Sequence, residues 1–344
     1  MIFLGQELDK NKPPFIVAEL SCNHQGDTNQ AIKLLQSARD AGADAVKIQV
    51  YTADDMTIDI KYPQHKREFV IENGLWAGNE LYQLYQKTQT DLELAITLIN
   101  YAQTNNIPIF ASVFSQKSLS LLEEMKLQAY KIASFELVDL PLIRKVAKTG
   151  KSIVLSTGMA SLEEIDEAVN CCNPANTALL HCVSAYPTKL EQANLWRVQW
   201  LSDLYPSCAI GFSDHTRGIT AGPLACAMGA RIIEKHIAIP ETNPEDAAFS
   251  LHPDEFKTYV QNCKKAAEAT FKTEVPEEQA SRQFRRSLYA VKDIMEGEAF
   301  TPNNVRSIRP SYGLAPKLYN KLICGMRASR EIKAGTALTK DMII

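Results

Sequence analysis

With 344 residues, 45% hydrophobic and 22% charged, the chain has the size and balance of a globular protein holding one large domain and a smaller one. A formal net charge of -3 argues against nucleic acid or an anionic membrane as partner. No apolar run approaches the roughly 20 residues that cross a bilayer, and the start MIFLGQELDK lacks the basic and apolar regions of a signal peptide, so a cytoplasmic protein is expected.

The run FIVAEL (15–20) opens a rhythm that continues to residue 270. AVKIQV (45–50), PIFASV (108–113), AYKIAS (129–134), SIVLST (152–157), ALLHCV (178–183), AIGFSD (209–214) and RIIEKH (231–236) follow. Near-continuous apolar runs suit parallel strands buried on both faces. The intervening stretches read as helices. TNQAIKLLQSARDAGA puts Ile32, Leu35 and Ala38 on one side and stops at Gly42, and PLIRKVAKTGK stops at Gly150 in the same way. SLEEIDEAV opens with a capping box, Ser161 and Glu164. Eight strand–helix units predict an α/β fold, a closed (β/α)8 TIM barrel. An open doubly wound sheet is the alternative, but no G-x-G-x-x-G follows the first strand.

Residues 51–90 interrupt the rhythm with KYPQHKREFV and NGLWAGNELYQLY. A long insertion after the second strand lies on the face where strands end, as a substrate-binding loop or as a surface excursion. Trp76, Tyr82 and Tyr85 favour packing against something. Beyond the barrel (1–271), the polar KTEVPEEQASRQ (272–283) reads as a linker. A small β-rich domain (284–344) follows, with a weak repeat between DIMEGEAFTPNN (293–304) and EIKAGTALTKDM (331–342). The eight cysteines include no C-x-x-C; reduced, partly buried thiols are expected, with a thiol-held metal as the lesser alternative.

Chemistry in such a barrel sits at the C-terminal strand ends. Those ends carry Glu19, Ser21, Asn23 and His24, then Lys47 and Gln49, then Lys131, Ser134 and Glu136, then Ser156 and Thr157. The sixth has His181 with Ser184 and Tyr186 beyond, the seventh ends Ser213-Asp214-His215, and the eighth carries Glu234, Lys235 and His236. Charges within apolar strands are costly unless paired, so their number points to a site. His215 and His236 end consecutive strands, which lie under about 5 Å apart. They can share a divalent metal, Mn2+ or Mg2+, or form a metal-free hydrogen-bonded pair. Lys47, Lys131 and the hydroxyls of Ser134, Ser156 and Ser213 suit a phosphate and a carboxylate. A Schiff base on Lys131 or Lys235 is the competing use. Glu19 and Glu136 are acid–base candidates.

The segments AELSCNHQGD, KIQVYTADDMT, YKIASFELVDLPLI, LSTGMASLEEI, HCVSAYP, GFSDHTRG, EKH and RRSLYAVKDIMEGE…RSIRPSYG together resemble the sialic acid synthase family, over residues 13 to 344. The resemblance implies a barrel followed by an antifreeze-like (SAF) domain. It implies a transferase that condenses phosphoenolpyruvate with an N-acetylated amino sugar, in its open-chain aldehyde form, to a nine-carbon 2-keto acid and phosphate. His215 and His236 match the metal ligands, and no organic cofactor is implied. Lys47, Gln49, Lys131, Ser134, Ser156 and Ser213 match positions that hold phosphoenolpyruvate, with Ser184 among the substrate-binding residues. Glu136 matches the acid beside the metal, and Glu19, Tyr186 and Asp246 match positions near sugar or metal. Arg309 matches an arginine sent into the partner's active site, which implies a domain-swapped homodimer.

AELSCNH, KIASFE and NGLWAGNELYQLY are more similar to the pseudaminic acid branch than to the neuraminic acid branch, where Gly more often stands at the positions of Ser21 and Phe135. The implied sugar is 2,4-diacetamido-2,4,6-trideoxy-altrose, which has a methyl group where the neuraminate precursor has a hydroxyl. Phe135 and the aromatic insertion around Trp76 are the expected discriminating pocket. N-acetylneuraminate or legionaminate synthesis is the alternative within the family; outside it stand a Schiff-base aldolase and a carbohydrate-binding scaffold. Two departures bear on the loops: Cys22 replaces a usual Gly or Ala, and Asn243-Pro244-Glu245 precedes Asp246 where a Gly-rich turn is common.

Overall fold

All eight apolar runs form strands. The computed structural model describes every residue except 10, 63, 64, 66, 241–243, 272 and 274; Asn243 and two residues of the 272–283 segment thus lie outside the described residues. After a small hairpin, β1 (Ile2–Phe3) with β2 (Gln6–Glu7), come β3 (Phe15–Glu19), β4 (Ala45–Val50), β5 (Ile109–Val113), β6 (Ala129–Ile132), β7 (Ser152–Ser156), β8 (Thr177–His181), β9 (Ala209–Asp214) and β10 (Ile232–His236). These last eight close a parallel barrel in chain order, with β10 paired to β3.

Helices cover the barrel because each presents one apolar stripe. Thr28–Asp40 buries Ala31, Leu34, Leu35 and Ala38 and is N-capped by Asp27. Leu162–Asn170 buries Ile165, Ala168 and Val169 and opens with the Ser161–Glu164 capping box. Gly42 and Gly150 follow their helices at φ +89° and +72°, a conformation that side chains disfavour.

Strand alternation divides the core in two. Ile16, Ala18, Val46 and Ile48 point outward into the layer shared with the helices. Phe15, Val17, Ala45, Phe110, Ala129 and Val154 point inward and fill the barrel. Phe3, on the hairpin, packs edge-on against Phe15 at 5.1 Å and Phe110 at 5.2 Å and closes the N-terminal end.

Lys272–Ile344 form a second compact unit. Its polar leading segment carries two helical turns, Pro276–Ala280 and Ser281–Phe284. Pro276 at the first helical position, with Glu277 and Glu278 in the first turn, favours that start. β11 (Ser287–Ala290) pairs antiparallel with β12 (Val305–Ile308) over a core that includes Leu288, Ile294, Phe300, Ile332 and Leu338. The repeat seen in sequence is structural. Ile294 bridges Ile332, and the bridges Tyr289–Ala337 and Ala299–Arg327 exchange under the same offset, the signature of a pseudo-twofold. Gly297 and Gly335 hold matching turns at φ +76° and +89°.

Candidate active site

Two residues beyond the inward apolar layer, every barrel strand changes character. Val17, Ala45, Phe110, Ala129, Val154, Leu180, Gly211 and Ile232 are followed at that spacing by Glu19, Lys47, Ser112, Lys131, Ser156, Cys182, Ser213 and Glu234. All eight of these are buried. One further inward step brings Gln49, His215 and His236 to the cavity at the C-terminal end.

The buried charges are paired, as their burial requires. Lys47 Nζ lies 2.5 Å from Glu19 and 3.3 Å from Glu234, and donates to Ser112 Oγ at 3.1 Å. Lys131 Nζ donates to both Glu234 oxygens, at 3.3 and 3.1 Å, and Ser213 Oγ donates to Glu234 at 2.8 Å. Burial works against the Glu234 carboxylate, but Lys131 and Lys47 hold it well below the usual range. Burial likewise lowers Lys47, but Glu19 and Glu234 more than offset it and raise the ammonium above its ordinary pKa. Lys131 ends below its ordinary value, because burial outweighs Glu234 there. Burial raises Glu19 against the pull of Lys47.

The two histidine rings stand 5.7 Å apart at the ends of β9 and β10. Burial pushes His215 down to about 4, and burial with neighbouring His215 pushes His236 well below 6.5, so both imidazoles are neutral at pH 7. His215 Nδ1 lies 2.9 Å from the Val183 carbonyl, an acceptor, so the proton is on Nδ1 and Nε2 carries a lone pair, 3.4 Å from the Ser213 hydroxyl. His236 Nδ1 is buried without a hydrogen-bond partner, 3.5 Å from Asp246. Neutral, unsaturated nitrogens fit a divalent cation. Among the described residues no group of three or more His, Cys, Asp or Glu is arranged to hold one.

The cavity has a volume of about 420 Å³ and two contrasting sides. Lys47, Gln49, Lys131, Ser134, Ser156, Ser213, Glu136, Asp246 and the histidines make the polar side. Met56, Ile71, Trp76, Leu84 and Tyr85, all from the 51–90 segment, make an apolar wall with Phe114. Trp76 packs on Tyr186 at 5.4 Å, and Tyr186 on His215 at 4.5 Å. Tyr82 points elsewhere, to Asp54. Phe135 lines the cavity but is 57% exposed, a rim residue. Burial raises Glu136 to about 7, and its Oε2 has no partner. Burial also raises Asp246, to about 6, although Ser21 Oγ donates to it at 2.6 Å. Cys22 lines the cavity beside them.

Ser134, Cys182 and Ser184 surround Gly158, whose amide donates to Ser134 Oγ at 3.2 Å. A Cβ on Gly158 would stand 2.3 Å from Ser184 Oγ, 2.8 Å from Cys182 Sγ and 2.9 Å from Ser134 Oγ. Ser156 Oγ and Ser184 Oγ are buried without hydrogen-bond partners, so both hydroxyls are open to a ligand. Ser184 sits behind the cavity surface rather than on it. Arg309 is exposed on the second unit, next to Pro310.

Sequence reasoning left Glu234 without a role, although period-two counting from His236 places it inside the barrel. The same counting turns Lys235 outward. It pairs with Asp214 at 3.4 Å in the layer between barrel and helices, away from the cavity, and is no Schiff-base candidate.

Comparison with known proteins places this geometry. Residues 34–274 match the NeuB family and residues 285–344 the SAF domain. A pseudaminic acid synthase of Helicobacter pylori is 42% identical over 96% of this chain and 98% of its own. An N,N'-diacetyllegionaminic acid synthase of Campylobacter jejuni is 38% identical over 94% of this chain and 98% of its own. The crystal structure of an N-acetylneuraminic acid synthetase from Leptospira borgpetersenii, in complex with citrate, is 31% identical and superimposes with a TM-score of 0.68 over 78% of this chain and 90% of that one. An eight-stranded barrel with a charged inner ring and a following SAF domain, matched over nearly its full length by such relatives, belongs to the NeuB family.

Proposed function

We propose that this chain is a pseudaminic acid synthase, joining phosphoenolpyruvate to 2,4-diacetamido-2,4,6-trideoxy-altrose with water to give a nine-carbon 2-keto acid and phosphate. One observation carries the reading: a single cavity sets Lys47 and Lys131 beside two neutral imidazoles and opposite an apolar wall. The relative named for this reaction, 42% identical over nearly the whole chain, supports it.

Lys47 and Lys131, with the hydroxyls of Ser134, Ser156 and Ser213, hold the phosphate and carboxylate and fix the methylene carbon in reach of the aldehyde. That carbon bonds to the aldehyde carbon, whose oxygen takes up a proton. Water adds to the former enol carbon and phosphate leaves with the electrons of its C–O bond, so no redox partner is needed. Glu136, with a pKa of about 7, is poised to give or take the proton. The aldehyde's apolar methyl end faces the wall of Met56, Ile71 and Leu84, where a hydroxyl would lose its hydrogen bonds.

Mn2+ or Mg2+ would be held by His215 and His236, and when bound it supplies Lewis-acid polarisation of a carbonyl oxygen. The charge balance supports this: Lys47 and Lys131 formally cancel Glu19 and Glu234, so a polyanionic substrate calls for further positive charge. Residues 1–271 would carry the chemistry. Residues 284–344 would supply Arg309 to the partner in a homodimer, and a phosphoenolpyruvate substrate suits the cytoplasm.

Turnover with the 6-deoxy diacetamido sugar, against N-acetylmannosamine and the legionaminate precursor, tests the assignment. Higher kcat/KM for either competitor overturns it. Activity lost with EDTA and restored by Mn2+ supports the metal. Covalent labelling by borohydride with pyruvate would point to a Schiff base on Lys131 instead. Mixing inactive Arg309→Ala and His236→Ala chains should restore some activity, and no recovery argues against the shared site.

A further inference from the structure

We propose that the buried pair Asp214–Lys235, with Tyr259, is a positioning device that sets the spacing of the imidazoles of His215 and His236. This inference rests on reading those histidines as metal ligands.

Asp214 and Lys235 are the residues immediately before the two histidines, and they face each other in register across β9 and β10. Alternation sends the histidines into the barrel and this pair out of it. Both members are fully buried, with Nζ 3.4 Å from Asp214 Oδ2. Asp214 is saturated. Oδ1 accepts from the Thr216 amide at 2.8 Å and hydroxyl at 2.7 Å, and Oδ2 accepts from the Tyr259 hydroxyl at 2.8 Å. Lys235 Nζ donates to the Thr216 carbonyl. Thr216, the residue after His215, is thus gripped through amide, hydroxyl and carbonyl. His215 sits between two anchored neighbours, and its partner His236 adjoins the lysine that anchors them.

Tyr259 reaches Asp214 from the helix Pro253–Glu268 because the neighbouring helix, Ala221–Ala227, has Gly222 at the contact. A Cβ there would stand 2.0 Å from the tyrosine hydroxyl. A buried ion pair is a poor source of stability but a good source of unique geometry where every lone pair is met. Outer partners that orient metal-ligating histidines commonly change metal affinity 10- to 100-fold when removed.

The test is the Mn2+ dissociation constant of the substrate-free full chain, by titration under electron paramagnetic resonance, at a temperature where circular dichroism finds each variant folded. Tyr259→Phe and Gly222→Ala should each weaken Mn2+ binding about tenfold, and Lys235→Met about 100-fold. Tyr259→Phe guards against Lys235→Met failing to fold. A purely structural role would lower the melting temperature and leave the constant unmoved, and an unmoved constant in folded Tyr259→Phe overturns the proposal. His215→Ala and His236→Ala separate the two readings. If they bind Mn2+ as the parent does, the metal assignment has failed. If they lose it while Tyr259→Phe keeps it, only the positioning device has.

Discussion

Lys131 and Glu234 meet across the inside of the barrel at 3.1 Å, from strands that stand opposite each other in the ring of eight. With Lys47 on the same carboxylate, this contact ties three strands together through their charges. Glu234→Gln takes the carboxylate partner from buried Lys131 and leaves Lys47 with Glu19 alone. It should destabilise the fold by about 3 kcal/mol, read as a lower urea midpoint at pH 7. A loss under about 1 kcal/mol, typical of an exposed pair, would show that water reaches the network.

Glu136 predicts a pH effect of definite sign. Its folded pKa, about 7, lies above the ordinary 4.5, so the folded state holds the extra proton between those values. Stability therefore falls as pH rises through that window, by up to about 3 kcal/mol, and levels off above it. Glu136→Gln should make that part of the profile shallower in urea titrations without metal or substrate, leaving the share of Asp246, which is raised to about 6. In turnover it should lower kcat by about 100-fold or more. An unchanged stability slope would mean the carboxyl is solvated.

Gly158→Ala puts a methyl group among Ser134, Cys182 and Ser184. The fold should survive, at a cost of about 1–3 kcal/mol. The KM for phosphoenolpyruvate should rise at least about tenfold, one lost hydrogen bond to an anion, with the sugar KM little changed. Equal rises for both substrates would place the anion elsewhere.

Trp76→Ala makes the converse separation. It removes a ring that packs on Tyr186 in the apolar wall. The kcat/KM for the sugar should fall about 10- to 100-fold, while phosphoenolpyruvate affinity, by calorimetry, stays within about twofold of the parent, the scatter expected between independent sites. A drop in phosphoenolpyruvate affinity instead would move Trp76 to the anion's side.

The barrel was legible because its eight runs are apolar on both faces, a pattern few other folds need. Much of the inner ring was legible for the complementary reason, since Glu19, Lys47 and Lys131 interrupt runs that otherwise exclude charge. Glu234 and Lys235 were harder. Both are charges in one strand, and only counting back by two from His236 separates the cavity residue from the one behind the wall. Phe135 resists such counting, because it sits in the single 3-10 turn Ser134–Glu136, where alternation no longer assigns faces. The hairpin at residues 2–7 left no signal, as two-residue strands are too short to show a period. In the 51–90 segment the aromatic content announced packing, but which rings face inward depends on contacts with distant strands.

Phe3 gives the barrel a floor. With the far end plugged by aromatic edges, the cavity among the described residues opens at the C-terminal end of the strands. On the proposed reaction, two substrates would enter and a nine-carbon acid and phosphate would leave past the rim where Phe135 stands. The order of arrival is then a matter of depth: phosphoenolpyruvate, which would sit on the buried lysines, has to go in before the sugar.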